Sequence, residues 1–202
     1  MDIRGQHRTS IDYTNLETHT HDFANTYIEE NDTVLELGAR YGSISSIRIN
    51  SKLQCKTNHV VVEPDERVWE ALERNKKSHN CEFHIVKGFV SAKKLALTDV
   101  DSWYGGYGAT YVEQDDSPIP SYTMEEINET FHLTYTVLVV DCEGFLERFL
   151  DEHPNVYDTL RLILFEAEYP EKCKYTKIRT TLKEKGFTEK LRGNQNVWIR
   201  QA

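Results

Sequence analysis

The segment Thr33-Val34-Leu35-Glu36-Leu37-Gly38-Ala39-Arg40-Tyr41-Gly42-Ser43 joins an apolar run that stops at Gly38 to a second glycine at Gly42 and a helix-like continuation. This order predicts a strand, a tight turn and a helix, the opening βα unit of a doubly wound sheet. Glycine at both positions permits φ > 0 and lets a ligand come close to the main chain. Glu36 stands inside the strand, where a carboxylate is costly to bury unless a cation or a donor meets it. The bland alternative is an ordinary strand–turn–helix that binds nothing.

Working outward, His59-Val60-Val61-Val62-Glu63 predicts a second strand, its consecutive valines indicating burial on both faces as in a parallel sheet. Glu63 closes that strand some 25 residues after Gly38. An acid there either accepts the hydroxyls of a ribose or faces the dipole of the next helix. Pro64 and Asp65 already supply the helix start, which favours the ribose role. Glu66 to Asn75 predicts a helix with Val68, Ala71, Leu72 and Asn75 on one side. Glu82–Val86 predicts a third strand, followed by Lys87-Gly88-Phe89-Val90, with Phe89 either against an adenine ring or in the core. Tyr135–Val140 predicts a fourth strand running into Asp141-Cys142-Glu143-Gly144, and Leu160–Phe165 a fifth ending in Glu166-Ala167-Glu168. Acids at the carboxyl ends of central strands lie where open α/β sheets keep their chemistry. Tyr175–Lys185 predicts a helix with Ile178 and Leu182 inside, closed by Gly186, and the remainder reads as a terminal antiparallel hairpin.

Two regions are less regular. Residues 1–30 read as a polar arm and then a helix from Asp22 to Glu30, with Phe23, Tyr27 and Ile28 on one face. His19 and His21 in that arm are either surface histidines or a metal-binding pair. Residues 98–120 read as an irregular loop containing Trp103-Tyr104-Gly105-Gly106-Tyr107-Gly108. Aromatic faces among glycines suit stacking on a sugar, so Trp103, Tyr104 and Tyr107 are candidate acceptor contacts; the alternative is an Ω-loop packing its own aromatics. Thr123 is a candidate helix cap.

Composition bounds the function. A chain of 202 residues with 39% hydrophobic and 28% charged content is that of one soluble domain. A net charge of −9 argues against a nucleic-acid backbone as partner and suits a small neutral or cationic ligand. No apolar run approaches the ~20 residues of a membrane span, and the N-terminus lacks a signal-peptide core. Cys55, Cys81, Cys142 and Cys173 form no C-x-x-C pair, which predicts reduced thiols and a cytoplasmic protein.

Dinucleotides require a G-x-G-x-x-G cradle for pyrophosphate, and here Arg40 occupies the middle glycine position. S-adenosylmethionine carries a sulfonium cation and no phosphate, and an acid-x-Gly-x-x-x-Gly turn resembles the first motif of Rossmann-like methyltransferases. Over residues 31–200 the chain resembles their FkbM-like branch. The most specific part is Val140-Asp141-Cys142-Glu143-Gly144-Phe145-Leu146-Glu147; Glu63-Pro64-Asp65, residues 120–127, Phe165-Glu166 and residues 182–187 add support. Two positions depart from that branch: Val139 stands where it often has Lys, and Glu168 where it often has His. Compact size and acidity are also similar to small glycan-capping methyltransferases of large algal viruses, which act on rhamnose.

The resemblance implies a doubly wound α/β sheet in the order 3-2-1-4-5-7-6 with a terminal antiparallel hairpin, and methyl transfer to a hydroxyl of a sugar or glycoside. It places the cofactor at Glu36, Gly38, Arg40, Tyr41, Gly42, Glu63, Pro64, Gly88 and Phe89. Asp141, Glu143 and Glu166 are the expected catalytic residues. Asp141 acts as a base, or Asp141, Glu166 and Glu168 hold Mg²⁺ or Mn²⁺. A nicotinamide-dependent oxidoreductase or epimerase and a non-catalytic binding module are the competing readings. A nucleic-acid amino-methyltransferase would carry Asn/Asp-Pro-Pro-aromatic where Asp141-Cys142-Glu143-Gly144 stands.

Overall fold

A computed structural model of the chain describes residues 3–4, 10–11, 25–42, 44–98 and 109–200. Apart from a short antiparallel ladder between Ile3–Arg4 and Ser10–Ile11, the elements in chain order begin with β1 (Val34–Leu37), α1 (Ile44–Lys52), β2 (His59–Glu63), α2 (Glu66–Ser78) and β3 (His84–Lys87). Next come the short β4 (Phe89–Val90), β5 (Leu95–Thr98), β6 (Thr110–Glu113), β7 (Ser121–Tyr122) and α3 (Met124–Phe131). The chain ends with β8 (Val137–Val140), α4 (Leu146–Glu152), β9 (Leu162–Glu166), α5 (Tyr175–Glu184), β10 (Phe187–Leu191) and β11 (Gln195–Arg200).

Seven strands form one sheet in the order β3-β2-β1-β8-β9-β11-β10. The first five are parallel, and β11 pairs antiparallel with both β9 and β10. This is the doubly wound order with a closing hairpin expected from the sequence. Side-chain alternation divides the core. Leu35, Leu37, Leu138, Val140, Ile163 and Phe165 face the layer built by α3, α4 and α5. Val34, Val61, Val137, Val139, Leu162 and Leu164 face α1, α2 and the segment carrying Ile28. Burial on both faces explains why these strands read as continuous apolar runs.

The helices are fixed by specific ends. Asp65 caps α2 by accepting from the Arg67 N–H, and the buried residues of α2 are Val68, Ala71, Leu72 and Asn75. Asn75 tolerates burial because its Nδ2 donates to the Tyr41 carbonyl at 2.8 Å, tying α2 to the glycine turn. Thr123 and Glu126 form a capping box at the start of α3. Residues 95–98 and 110–113 correct the expectation of a wholly irregular stretch, since β5 and β6 pair as an antiparallel hairpin. The expected helix 22–30 is helical over residues 25–27 within the described part. His19, His21, Trp103, Tyr104 and Tyr107 lie outside the described residues. No helix among the described residues is long and apolar enough to cross a membrane.

At the amino edge of the sheet one buried carboxylate gathers three segments. Asp32, 4% exposed, accepts from Arg161 Nε at 2.8 Å and from Arg161 Nη2, from the Thr136 hydroxyl at 2.8 Å, and from the Glu29 N–H at 2.7 Å. Removing one partner of a buried pair strands the other charge, at a cost of about 3–5 kcal/mol when both are buried. Arg161 is part-exposed, so Asp32→Ala should destabilise the fold by about 2–4 kcal/mol in urea denaturation. A change under about 0.5 kcal/mol would show that the network does not hold these segments together.

Candidate functional site

A cleft of about 700 Å³, counting its open mouth, lies at the carboxyl ends of β1, β2 and β8. Its rim is set by an unusually close backbone approach. Gly38 has φ +91°, and a Cβ there would fall 1.8 Å from the carbonyl oxygen of Asp141. Only a residue without a side chain lets the ends of β1 and β8 meet in this way. The Asp141 N–H donates to the Leu37 carbonyl at 3.0 Å, and the Gly38 N–H to the Val62 carbonyl at 3.0 Å, which fixes all three strand ends.

Glu63 is the second fixed point. Its side chain is buried and accepts from the Arg40 N–H at 2.6 Å and the Asp65 N–H at 2.8 Å. Burial pushes its carboxyl up to about 7, against the lowering effect of those N–H donors and of the Arg40 charge. Arg40 presents that N–H from a left-handed conformation, φ +46°. Its guanidinium reaches Asp65 at 3.3 Å and lies over the Tyr41 ring. Asp65 is held below the usual carboxylate range: burial would raise it, but the Arg67 hydrogen bonds and the Arg67 and Arg40 charges outweigh that.

The opposite wall is the turn Asp141-Cys142-Glu143-Gly144, where Glu143 (φ 50°) and Gly144 (φ 88°) are both left-handed. Glu143 is hydrogen-bonded to Tyr169, whose hydroxyl burial and neighbouring carboxylates push to about 12. Cys142 lines the cleft as a thiol, pushed well above its ordinary value by burial. Beside this turn, oxygens of Asp141, Glu166 and Glu168 lie within 4.8 Å of one another. Glu166 also accepts from Asn194 Nδ2 at 2.5 Å. Three carboxylates make a donor set suited to a hard divalent cation.

Of the residues expected at the cofactor, Gly38, Arg40, Glu63, Pro64, Gly88 and Phe89 line the cleft, together with Asp141 and Glu143. Three expected cofactor residues are absent from its lining. Glu36 is 2% exposed inside the sheet, with its carboxylate 3.1 Å from His59 Nε2. Tyr41 is buried in the core against α2. Gly42 serves packing, since a Cβ there would sit 2.7 Å from the Leu72 side chain. Other lining residues were not anticipated: Leu97 and Thr110 from the hairpin, Cys142, and Tyr111, whose ring meets Phe145 edge-on at 5.0 Å. The β-branched and aromatic run Thr110-Tyr111-Val112 is the one strand signal this wall carries, and at four residues β6 is too short for it to stand out.

No protein-family model matches the chain, and no curated protein does. Solved structures do. A precorrin-6y C5,15-methyltransferase from Geobacter metallireducens GS-15 aligns with TM-score 0.55 and 14% identity, over 92% of this chain and 87% of its own. A putative tRNA (m1A22) methyltransferase from Streptococcus pneumoniae, solved with S-adenosyl-L-methionine, gives 0.53 and 12%, over 91% of this chain and 73% of its own. An rRNA methylase from Streptococcus thermophilus gives 0.54 and 8%, over 90% of this chain and 95% of its own. At these identities the likeness is one of fold, and the chain has the Rossmann-like methyltransferase fold with its antiparallel end hairpin.

The raised Glu63 carboxyl sets a pH dependence. With the folded value near 7 above an unfolded value of 4.5, its contribution to stability is fully present below about pH 4.5 and is lost as pH rises through about 7. Wild type should therefore lose stability relative to Glu63→Gln between about pH 5 and about pH 8, by on the order of 3 kcal/mol. A stability difference that stays flat with pH would mean that Glu63 remains ionised throughout that range.

Proposed function

We propose that the chain binds S-adenosylmethionine in this cleft and transfers its methyl group to a hydroxyl, with a sugar or glycoside as the acceptor. The observation that carries the reading is the placement of Glu63. A carboxylate has about four acceptor positions, and the backbone takes one on each oxygen. The other two suit the paired hydroxyls of a ribose. Gly38 and Gly88 border the cleft on either side, and Phe89, Val90 and Leu97 offer apolar surface for a purine.

S-adenosylmethionine would supply a methyl group already activated by its positive sulfur. The chain's own task is to seat the acceptor oxygen and receive the proton that it loses. Asp141, on the lining beside Gly38, is the group placed for that proton, with Glu143 next to it. Positioning alone contributes up to about 7–11 kcal/mol in well-oriented reactions. In the alternative form of the reading, Asp141 instead joins Glu166 and Glu168, which together would hold Mg²⁺ or Mn²⁺, and the ion would acidify a bound hydroxyl. The sugar acceptor rests on the resemblance of the Asp141-Cys142-Glu143-Gly144 run to enzymes that methylate hydroxyls.

S-adenosylhomocysteine should raise the melting temperature and NAD should not, and Glu63→Ala should weaken S-adenosylhomocysteine at least about tenfold by calorimetry. Stabilisation by NAD alone would replace this reading with an oxidoreductase. Asp141→Asn should lower methyl transfer by about 10²–10⁴ while cofactor affinity stays within about threefold. The assay offers labelled S-adenosylmethionine with rhamnosides, other glycosides and catechols. Binding without transfer to any of them would indicate a non-catalytic module. Activity lost in EDTA and restored by Mg²⁺ or Mn²⁺ supports the metal; full activity in EDTA removes it.

A further inference from the structure

A second cavity, about 630 Å³ counting its open side, lies beneath the first on the same face of the sheet. Leu37 lines the upper cleft and Leu35 the lower cavity, two residues nearer the amino end of β1 and about 7 Å away along the strand. Its walls are mixed: Met124 from α3, Leu138 from β8 and Phe149 from α4 give apolar surface, and Glu125, Thr134, Glu152 and Asn155 are among the polar residues.

Three of the polar atoms at those walls stand apart from the rest. Tyr135 Oη, His153 Nε2 and Asn128 Oδ1 are buried and lack a hydrogen-bond partner among the described residues, and all three residues border this cavity. Tyr135 is 4% and His153 6% exposed. Native structures seldom leave such atoms unpaired, because each costs about 1–3 kcal/mol. Three around one cavity form a polar set that one bound molecule would satisfy.

The chemistry of the occupant follows from the atoms. His153 hydrogen-bonds the Val90 carbonyl through its other ring nitrogen, so Nε2 of the neutral ring is an acceptor. Asn128 Oδ1 accepts, and the Tyr135 hydroxyl donates. Among the described residues the lining includes Glu125 and Glu152 but no lysine or arginine, which disfavours an anion. We propose that this cavity is a second ligand site for a neutral, ring-sized molecule bearing a primary amide or an equivalent donor–acceptor group. The amide N–H groups meet His153 and Asn128, and its carbonyl accepts from Tyr135. The site is separate from the cofactor cleft, though the two are joined through Val90, which lines the cleft and carries the carbonyl that holds His153.

Benzamide is the probe, with benzoate and toluene as its charged and apolar counterparts. The chain has two methionines, so a sample labelled at the methionine methyls gives two signals, and Met124 reports from inside the cavity. Benzamide should move the Met124 signal saturably at about millimolar concentration, with and without S-adenosylhomocysteine, while benzoate and toluene bind at least about fivefold more weakly. Tyr135→Phe, and Asn128→Ala on the cavity's outer wall, should each weaken benzamide about fivefold while thermal unfolding remains cooperative. An unmoved Met124 signal would mean that the cavity holds only water. Toluene binding as well as benzamide, or an unchanged affinity in both variants, would equally overturn the proposal. Because Met124 is read apart from the cleft, none of these outcomes bears on methyl transfer.

Discussion

The contact between Gly38 and the Asp141 carbonyl governs the site. Parallel pairing of β1 with β8 brings Leu37 opposite Val140, so the next residue of each strand must leave the sheet at the same place. With 1.8 Å from a notional Cβ to a backbone oxygen, no flexible side-chain end is available to yield. Any side chain at position 38 therefore moves the end of β8, and Asp141 with it, relative to Glu63. The first glycine of the turn serves the meeting of two strands before it serves a ligand. Gly42 makes room for Leu72 of α2 against the turn, and the whole motif becomes a device for setting strand and helix ends at the rim.

This explains which parts of the fold were legible in the sequence. Val60-Val61-Val62 and Val137-Leu138-Val139-Val140 are buried on both faces, and such runs declare themselves without knowledge of their neighbours. The pattern of α2 was readable for the same reason, since its four buried residues recur at helical spacing. The β5–β6 hairpin was not readable. Each arm has four residues, and only Leu95 and Thr110 are buried, so neither arm carries a two-residue period that would rise above the aromatic and glycine-rich stretch between them. The start of β3 was placed early because Glu82 looks like part of a strand; its N–H is instead taken by the buried Asn50 side chain at 2.9 Å.

Glu36 shows where reading the site residue by residue fails. Burial cost required that its carboxylate meet a partner, but did not say which. The registers place Glu36 opposite Val61 and His59 opposite Val34, so Glu36 and His59 stand diagonally across adjacent parallel strands. The partner is 23 residues away and becomes visible only when the register is known. A strand acid before a glycine turn thus has two physically reasonable fates, ligand contact or an interior pair. Here the interior pair is found, on the sheet face opposite Leu35 and Leu37.

The charge of the cleft bears on the choice between ligand classes more directly than the glycine pattern does. Among the described residues, Glu63, Asp65, Asp141 and Glu143 line it against a single guanidinium, Arg40, which already lies 3.3 Å from Asp65. A pyrophosphate would bring two negative charges into that surrounding with one committed cation to offset them. Like charges about 4 Å apart at a protein surface cost on the order of 4 kcal/mol. A nucleoside with a positive sulfur, an ammonium group and one carboxylate carries a net positive charge and reverses the sign of the sum. Burial alone moves Glu63 towards neutrality, and that moderates the argument at the ribose end only, where hydrogen bonds rather than charge hold a diol. At the Asp141 end the carboxylates stand together. A positive group bound there relieves their mutual repulsion, so the rim discriminates between ligands through an electrostatic debt that a phosphate deepens and a sulfonium reduces.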